Sequence, residues 1–243
     1  MSPRRTMKAS IACGSILAGM VLMPGCDPPG RPTHAVAEEL DSQASFETIY
    51  QANCAGCHGN NGTHGAARPM NDPLYLHVAP PETLLDVITH GTGPGTLMPA
   101  FHQADGSGLP PEKLAALVSD MRQYWGTPSQ FQGQSFPSYA STSKGDAARG
   151  ATVYQQSCAQ CHGPNGDGGA NGGSIVDEVY LQLVSDQALR SAVIFGRIDL
   201  GMPDYRTQRA GSPLSDREID DVVAWMISHR ADFKNPTDYV PEE

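Results

Sequence analysis

A five-residue pattern that occurs twice constrains this chain most. It reads Cys54-Ala55-Gly56-Cys57-His58 and then Cys158-Ala159-Gln160-Cys161-His162. Cys-x-x-Cys-His is the attachment signature of a c-type haem. Two thiols one helical turn apart can each add across one vinyl group of a single porphyrin. The residue that follows, His58 or His162, then lies under the ring and binds iron from the proximal side. A tetrahedral zinc site built from the two cysteine pairs would not need a His fixed after each of them. The pattern predicts two covalently bound haem c groups, held by Cys54, Cys57, Cys158 and Cys161.

Cys54 and Cys158 stand 104 positions apart (158 − 54) in a chain of 243 residues. That spacing gives each signature one small domain, and a buried haem supplies apolar mass that so small a core lacks. The remaining cysteines, Cys13 and Cys26, lie in and at the end of an N-terminal apolar stretch, so no pair is left for a disulfide. The net charge is −10. Without residues 1–25, which carry Arg4, Arg5 and Lys8 and no acid, it becomes −13 (13 − 26). An acidic surface excludes nucleic acid as the expected partner and favours proteins with basic docking patches.

Residues 1–25 read as an export signal, with a basic start and an apolar run from Ile11 to Met23 that is too short to span a membrane. The run ends in Met23-Pro24-Gly25-Cys26, a small residue before a cysteine, as in bacterial lipoprotein processing, which makes Cys26 the lipidation candidate. Cleavage after Ala35-Val36-Ala37 is the rival and would give a soluble periplasmic protein. Residues 26–42 read as a flexible tether. A first domain over 43–126, a linker over 127–144 rich in Ser, Gln, Gly and Pro, a second domain over 145–232 and a tail over 233–243 complete the expected layout.

The repeat extends beyond the cysteines. Tyr50 and Tyr154 each stand four residues before the first cysteine, and Leu74-Tyr75-Leu76 answers Val179-Tyr180-Leu181. Short helical patterns end at Gly91 and Gly196. Each half closes on an amphipathic helix, with a stripe of Leu114, Leu117, Val118 and Met121 or of Ile219, Val222, Val223 and Met226. Ser215 and Glu218 are spaced as a capping box, with Leu214 and Ile219 as its hydrophobic staple. Met98 follows His58 by 40 residues (98 − 58), and Met202 follows His162 by 40 (202 − 162). Each is followed by a proline, with an aromatic three residues on. Met98 and Met202 are therefore the predicted second axial ligands, and a thioether there raises the potential. Met70, His64, His77, His90 and His102 are rivals in the first half. None has a counterpart in the second, whose next histidine is His229.

On these residues each half resembles a class I cytochrome c domain: N-terminal helix, Cys-x-x-Cys-His, loop, Met-Pro and C-terminal helix. The resemblance implies a mainly α fold of two tandem domains, each wrapping one covalent haem, as in bacterial diheme electron-transfer cytochromes. It also implies that the first and last helices of each domain cross beside the haem, a small residue on one making room for a ring on the other. Gly150 and Tyr154 against Val222 and Trp225 fit that pattern. The first half departs: Phe46 takes the glycine position, and aligning Leu109 on Leu214 puts Asp120 where Trp225 stands. A shift of register would instead bring in Tyr124 or Trp125. Pro69 or Pro73 marks the loop expected to receive the ring N–H of His58.

The implied function is transfer of single electrons between membrane or periplasmic redox partners, with no catalytic residue. Two alternatives remain: a cytochrome subunit of a larger respiratory or dehydrogenase complex, and a diheme peroxidase or sulfur-compound oxidase. The last needs an open or exchangeable iron site.

Overall fold

The computed structural model describes residues 45–93, 97–103, 105 and 108–231. The signal, the rival cleavage sites, Cys26 and the tether lie outside the described residues. Among the described residues there is no β-strand, only two isolated antiparallel bridges, His102 to Gly108 and Arg197 to Met202.

In the first half, α1 (45–53) buries Phe46 and Tyr50, one turn apart, and leads through Cys54 into the single turn α2 (Ala55–His58). In the second half, α6 (Ala147–Ser157) and α7 (Ala159–His162) repeat this. Asp146 caps α6 by accepting from the Arg149 amide. The two matching tyrosines do the same task. Tyr50 Oη donates to the Gly59 carbonyl at 2.9 Å, and Tyr154 Oη donates to that of Gly163. Each pins its helix to the backbone just past its haem signature.

Two short helices follow in each half. Asp72 accepts from the Leu74 and Tyr75 amides to start α3 (Pro73–Val78), and Asp177 accepts from Tyr180 to start α8 (Glu178–Leu183). Next come α4 (Pro81–His90) and α9 (Asp186–Phe195), stopped by Gly91 and Gly196 as expected. Both glycines have positive φ, 72° and 69°, which a side chain would strain.

The closing helices are α5 (Pro111–Tyr124) and α10 (Asp216–Ile227), and both expected apolar stripes are buried. The Ser215 and Glu218 capping box is present in full, and Leu214 and Ile219 are both buried. The crossing of α6 and α10 is close. A Cβ on Gly150 would lie 1.9 Å from the Asp221 carbonyl oxygen and 2.8 Å from Trp225 Cβ. No residue with a side chain fits there.

The first half makes its crossing differently, and Asp120 has no part in it. The Phe46 ring centroid lies 5.4 Å from Tyr124 and 5.2 Å from Trp125, and Tyr50 meets Trp125 edge-on at 5.0 Å. Trp125 is the true counterpart of Trp225. Its Cη2 lies 3.1 Å from the Cβ position of Gly62, as Trp225 Cη2 does from that of Gly166. Those glycines each follow the haem-signature His by four residues. Counting back from Leu109 failed because α5 reaches its tryptophan sixteen residues on (125 − 109), whereas α10 reaches its own eleven after Leu214 (225 − 214).

The segment between the halves is fastened down. Residues Pro128–Phe131 form a 3₁₀ turn that buries Phe131 beside His77 and Phe136. Arg190, fully buried on α9, donates to the Ser138 and Tyr139 carbonyls and pairs with Asp216 and Asp220, both at 2.5 Å. Ser141 and Ser143 donate to Asp220, and Gln187 to the Tyr139 carbonyl.

Candidate haem sites

The ring nitrogens of the two signature histidines are already half assigned. His58 Nδ1 lies 2.6 Å from the Arg68 carbonyl oxygen, and His162 Nδ1 lies 2.7 Å from that of Gly173. A carbonyl only accepts, so Nδ1 carries the proton in each ring and Nε2 keeps its lone pair. That is the tautomer an axial iron ligand needs, with its orientation fixed by the second bond. The acceptor in the first half is the residue just before Pro69. In the second half it is a glycine in a run that lets the loop close on the ring: a Cβ on Gly172 would fall 2.8 Å from His162 Nδ1. Burial holds the His58 pKa below its usual value. The bond that His58 Nδ1 donates to the Arg68 carbonyl opposes this, and the Arg68 and Arg197 cations add to it. The ring is thus kept neutral and able to bind metal.

The four signature cysteines are unpaired. Burial pushes the Cys54 thiol up to about 11, with Cys57 adding to it, and pushes Cys158 to about 11, with Cys161 adding. A redox dithiol needs the opposite, a lowered pKa at its attacking cysteine. Among the described residues, no three His, Cys, Asp or Glu side chains converge to hold a bare metal ion. A porphyrin supplies four equatorial nitrogens itself and asks only for axial ligands, which suits one histidine per signature. Among the described residues, two closed-off polar atoms on residues tied to the signatures also lack a partner: Ser157 Oγ, next to Cys158 in the chain, and Arg68 Nη1, on the residue whose carbonyl accepts from His58. The donor set and these orphaned atoms fit haem c at both places.

The methionine loops match in their backbone bonds. The residue after each helix-stopping glycine donates to the methionine carbonyl, Thr92 to Met98 at 3.2 Å and Arg197 to Met202 at 3.0 Å. A Cβ on Gly91 would lie 2.6 Å from the Met98 oxygen, and one on Gly196 2.5 Å from that of Met202. The aromatic residue three places on ties the loop to the preceding helix, Phe101 to Ile88 and Tyr205 to Ile194, each at 3.0 Å. Leu109 and Leu214 then donate to the carbonyls of those aromatics. One mould therefore presents Met98 and Met202, each half-buried.

Three of the rival side chains have partners of their own. His77 packs against Phe131 and Phe136, His90 pairs with Asp86 at 2.9 Å, and His102 Nδ1 bonds the Leu109 carbonyl at 3.1 Å. His64 is exposed, with its amide on Asp199. Met70 is half-buried, its amide bonded to the Gly62 carbonyl. His229 stacks edge-on to Trp225.

Sequence reading missed the arginines between the halves. Arg197 donates to the Gly65 carbonyl at 2.8 Å and pairs with Asp199, while Asp199 accepts from the His64 amide at 2.8 Å. The Arg68 guanidinium lies 5.1 Å from the Tyr75 ring and 5.2 Å from the Phe195 ring. Neither arginine belongs to the repeat, so comparing the halves could not expose them.

The family model described as "Cytochrome C oxidase, cbb3-type, subunit III" matches residues 41–119 and again 145–226. A cbb3-type cytochrome c oxidase subunit FixP of Bradyrhizobium sp. (strain ORS 278) is 27% identical over 165 residues, 64% of this chain and 52% of that protein. The subunit CcoP of Cereibacter sphaeroides is 24% identical over 188 residues, 73% of this chain and 58% of that protein. The chain thus spans about half the length of the curated relatives it matches. A solved complex, the Kuenenia stuttgartiensis reducing HAO-like protein complex Kustc0457/Kustc0458, covers 77% of this chain and 96% of its own at 17% identity and a TM-score of 0.44. With one match over each haem signature, the chain belongs to the family of cbb3-type cytochrome c oxidase subunit III, as a diheme c-type cytochrome of two cytochrome c domains.

Proposed function

We propose that Cys54 and Cys57 hold one haem and Cys158 and Cys161 the other. His58 with Met98, and His162 with Met202, are then the axial ligands, and the protein carries single electrons for a respiratory oxidase complex. Each haem, when bound, supplies a one-electron iron couple. The chain's residues set how that couple behaves. The carbonyls of Arg68 and Gly173 hold the two proximal rings in one tautomer. The Met-Pro loops hold a thioether, which favours ferrous iron. A filled sixth position also withholds the iron from peroxide, which supports a carrier over an enzyme. The matched backbone bonds around Met98 and Met202 carry this reading most directly.

The family and the FixP and CcoP relatives favour a subunit of a larger oxidase over a free shuttle. Partners would meet an acidic surface, −13 beyond residue 25, with basic patches of their own. Among the described residues no helix is long and apolar enough to cross a membrane. A lipid on Cys26 would hold the protein at the periplasmic face of the membrane. Cys26→Ser is expected to move it to the soluble fraction, or to block its processing, with both haem spectra intact. A wild type already soluble and starting at Glu38 would refute the anchor alone.

The central test is a spectroscopic redox titration of Met98→His and Met202→His. Each should lower one midpoint potential and leave the other nearly fixed, with partial loss of the sulfur-to-iron charge-transfer band. If Met70→His removes that band and Met98→His does not, the assigned methionine is wrong.

A further inference from the structure

Arg68 reaches from the loop behind His58 to the boundary of the two halves. Its guanidinium lies over Tyr75 of the first and Phe195 of the second, and those two rings meet edge-on with centroids 5.1 Å apart. The neighbouring arginines each have a carboxylate of the chain: Arg197 has Asp199 at 3.0 Å, and Arg206 has Asp204 at 2.7 Å. Arg68 Nη1 is sealed from solvent and has no hydrogen-bond partner among the described residues. Asp72 acts on Arg68 through its charge but shares no hydrogen bond or ion pair with it among the described residues, and spends one oxygen on the Leu74 and Tyr75 amides at the start of α3. A buried guanidinium with an unpartnered donor carries a desolvation cost that an anionic partner relieves best.

The missing partner should be a carboxylate, which matches the guanidinium fork. It should also be carried by something that lies beside the His58 loop, since the Arg68 carbonyl itself accepts from His58 Nδ1. A haem bears two propionate carboxylates on its edge. We infer that Arg68 binds a propionate of the haem attached at Cys54 and Cys57, and fixes that edge between aromatic residues of both halves. This rests on the reading that the first signature carries a haem. It adds a residue that the ligand set does not contain, placed where a domain-two ring, Phe195, helps to hold it.

The pairing has a consequence for the redox couple. A buried propionate without its cation would favour the ferric, more positive iron, so loss of Arg68 lowers the midpoint potential of that couple. The experiment uses the protein loaded with both haems, as wild type, Arg68→Gln and Arg68→Lys. The couple at the first haem is identified as the one that Met98→His displaces. In Arg68→Gln that couple should fall, with a smaller change in the other. In Arg68→Lys, which keeps the charge, it should stay nearer to wild type. Resonance Raman bands of the propionate bending modes should shift for one haem in Arg68→Gln.

A folded two-haem Arg68→Gln protein with unmoved propionate bands overturns the proposal and points to a free anion at the site. A fall confined to the couple that Met202→His displaces overturns the assignment to the first haem. A covalent haem count of one, unchanged by Cys54→Ala with Cys57→Ala, would instead refute the haem reading of the first signature, a separate failure.

Discussion

The two halves perform one task with different means where their first and last helices cross. In the second, Gly150 lets α6 lie directly on α10, and Tyr154 stacks on Trp225 with ring centroids 4.0 Å apart and planes at 24°. In the first, Phe46 occupies the glycine position, and Trp125 meets Tyr50 edge-on at 89°. Both place a tryptophan against the glycine four residues after the haem-signature histidine. What the fold requires is therefore the tryptophan's position. The means of reaching it are free: a close helix crossing with one flat stack, or a wider aromatic cluster entered from the end of the helix.

Exchanging the two solutions should have the largest effect. Gly150→Phe puts a ring where even a Cβ would strike the Asp221 backbone. The helix pair cannot form, so the second domain is expected to lose its native low-spin spectrum while the first keeps its own. The reciprocal Phe46→Gly removes a buried ring and should cost about 3–5 kcal/mol, as large-to-small core changes do. Its coupling should appear with Trp125, as a double-mutant cycle well away from additivity, and Asp120→Trp should restore nothing. Strict additivity of Phe46→Gly with Trp125→Ala would show that the two rings do not support one another.

The halves also differ in polar architecture. Arg190 is enclosed in the second with Asp216, Asp220 and the Ser138 and Tyr139 carbonyls. The equivalent helix of the first half, α4, has no arginine. Arg190→Leu would leave Asp220 buried without its cation, a loss of about 3–5 kcal/mol on the scale of broken buried pairs. Denaturant unfolding should show the loss in the second domain. Proteolysis should also open the segment over 135–143, since Arg190 is one of its main fasteners. An unchanged cleavage pattern would mean that Gln187 and the Ser141 and Ser143 bonds suffice.

These contrasts show what could be read from the chain. The cysteines, histidines and Met-Pro pairs stand out in the chain because the repeat sets each beside its twin. Gly91, Gly196 and the capping box were legible because helix ends have local chemistry. The acceptors of the histidine N–H bonds were not, since a backbone carbonyl such as that of Arg68 or Gly173 leaves no mark in residue identity. Pro69 pointed to the right loop and missed the atom by one residue. Arg190 carries a charge, and nothing in the identity of its helix neighbours marks the carboxylates that bury it. It is enclosed by long-range partners, Asp216 and Asp220 of α10 and the carbonyls of Ser138 and Tyr139. Trp125 stood beside Tyr124 as an alternative counterpart of Trp225 and could not be singled out from the sequence, because the two closing helices reach their tryptophans at different lengths.

The smallest expected effect separates the starts of α5 and α10. Ser215 caps α10 through the Glu218 amide, and the Glu218 carboxylate answers on the Ser215 amide at 2.9 Å and on Arg209 at 2.6 Å. Partial burial pushes the Glu218 pKa upward, but the bonds to Arg209 and Ser215 prevail and hold it below its usual value. A depressed pKa stabilises the fold above the unfolded value of about 4.3, and that contribution disappears as pH falls through the folded one. Ser215→Ala should cost about 1 kcal/mol near neutral pH, with the penalty shrinking as acid protonates Glu218 in the fold. The start of α5 has Pro110 with no side-chain cap, and Lys113 stands where a capping box needs an acid or amide. Pro110→Ser would add a cap but lose proline's restraint on the unfolded chain, two effects of about 0.5–1 kcal/mol that oppose each other. Hydrogen exchange of the first-turn amides should therefore accelerate in Ser215→Ala and stay near wild type in Pro110→Ser. Equal acceleration in both would mean that burial of the Leu114 and Ile219 stripes, rather than the cap, sets how firmly each closing helix begins.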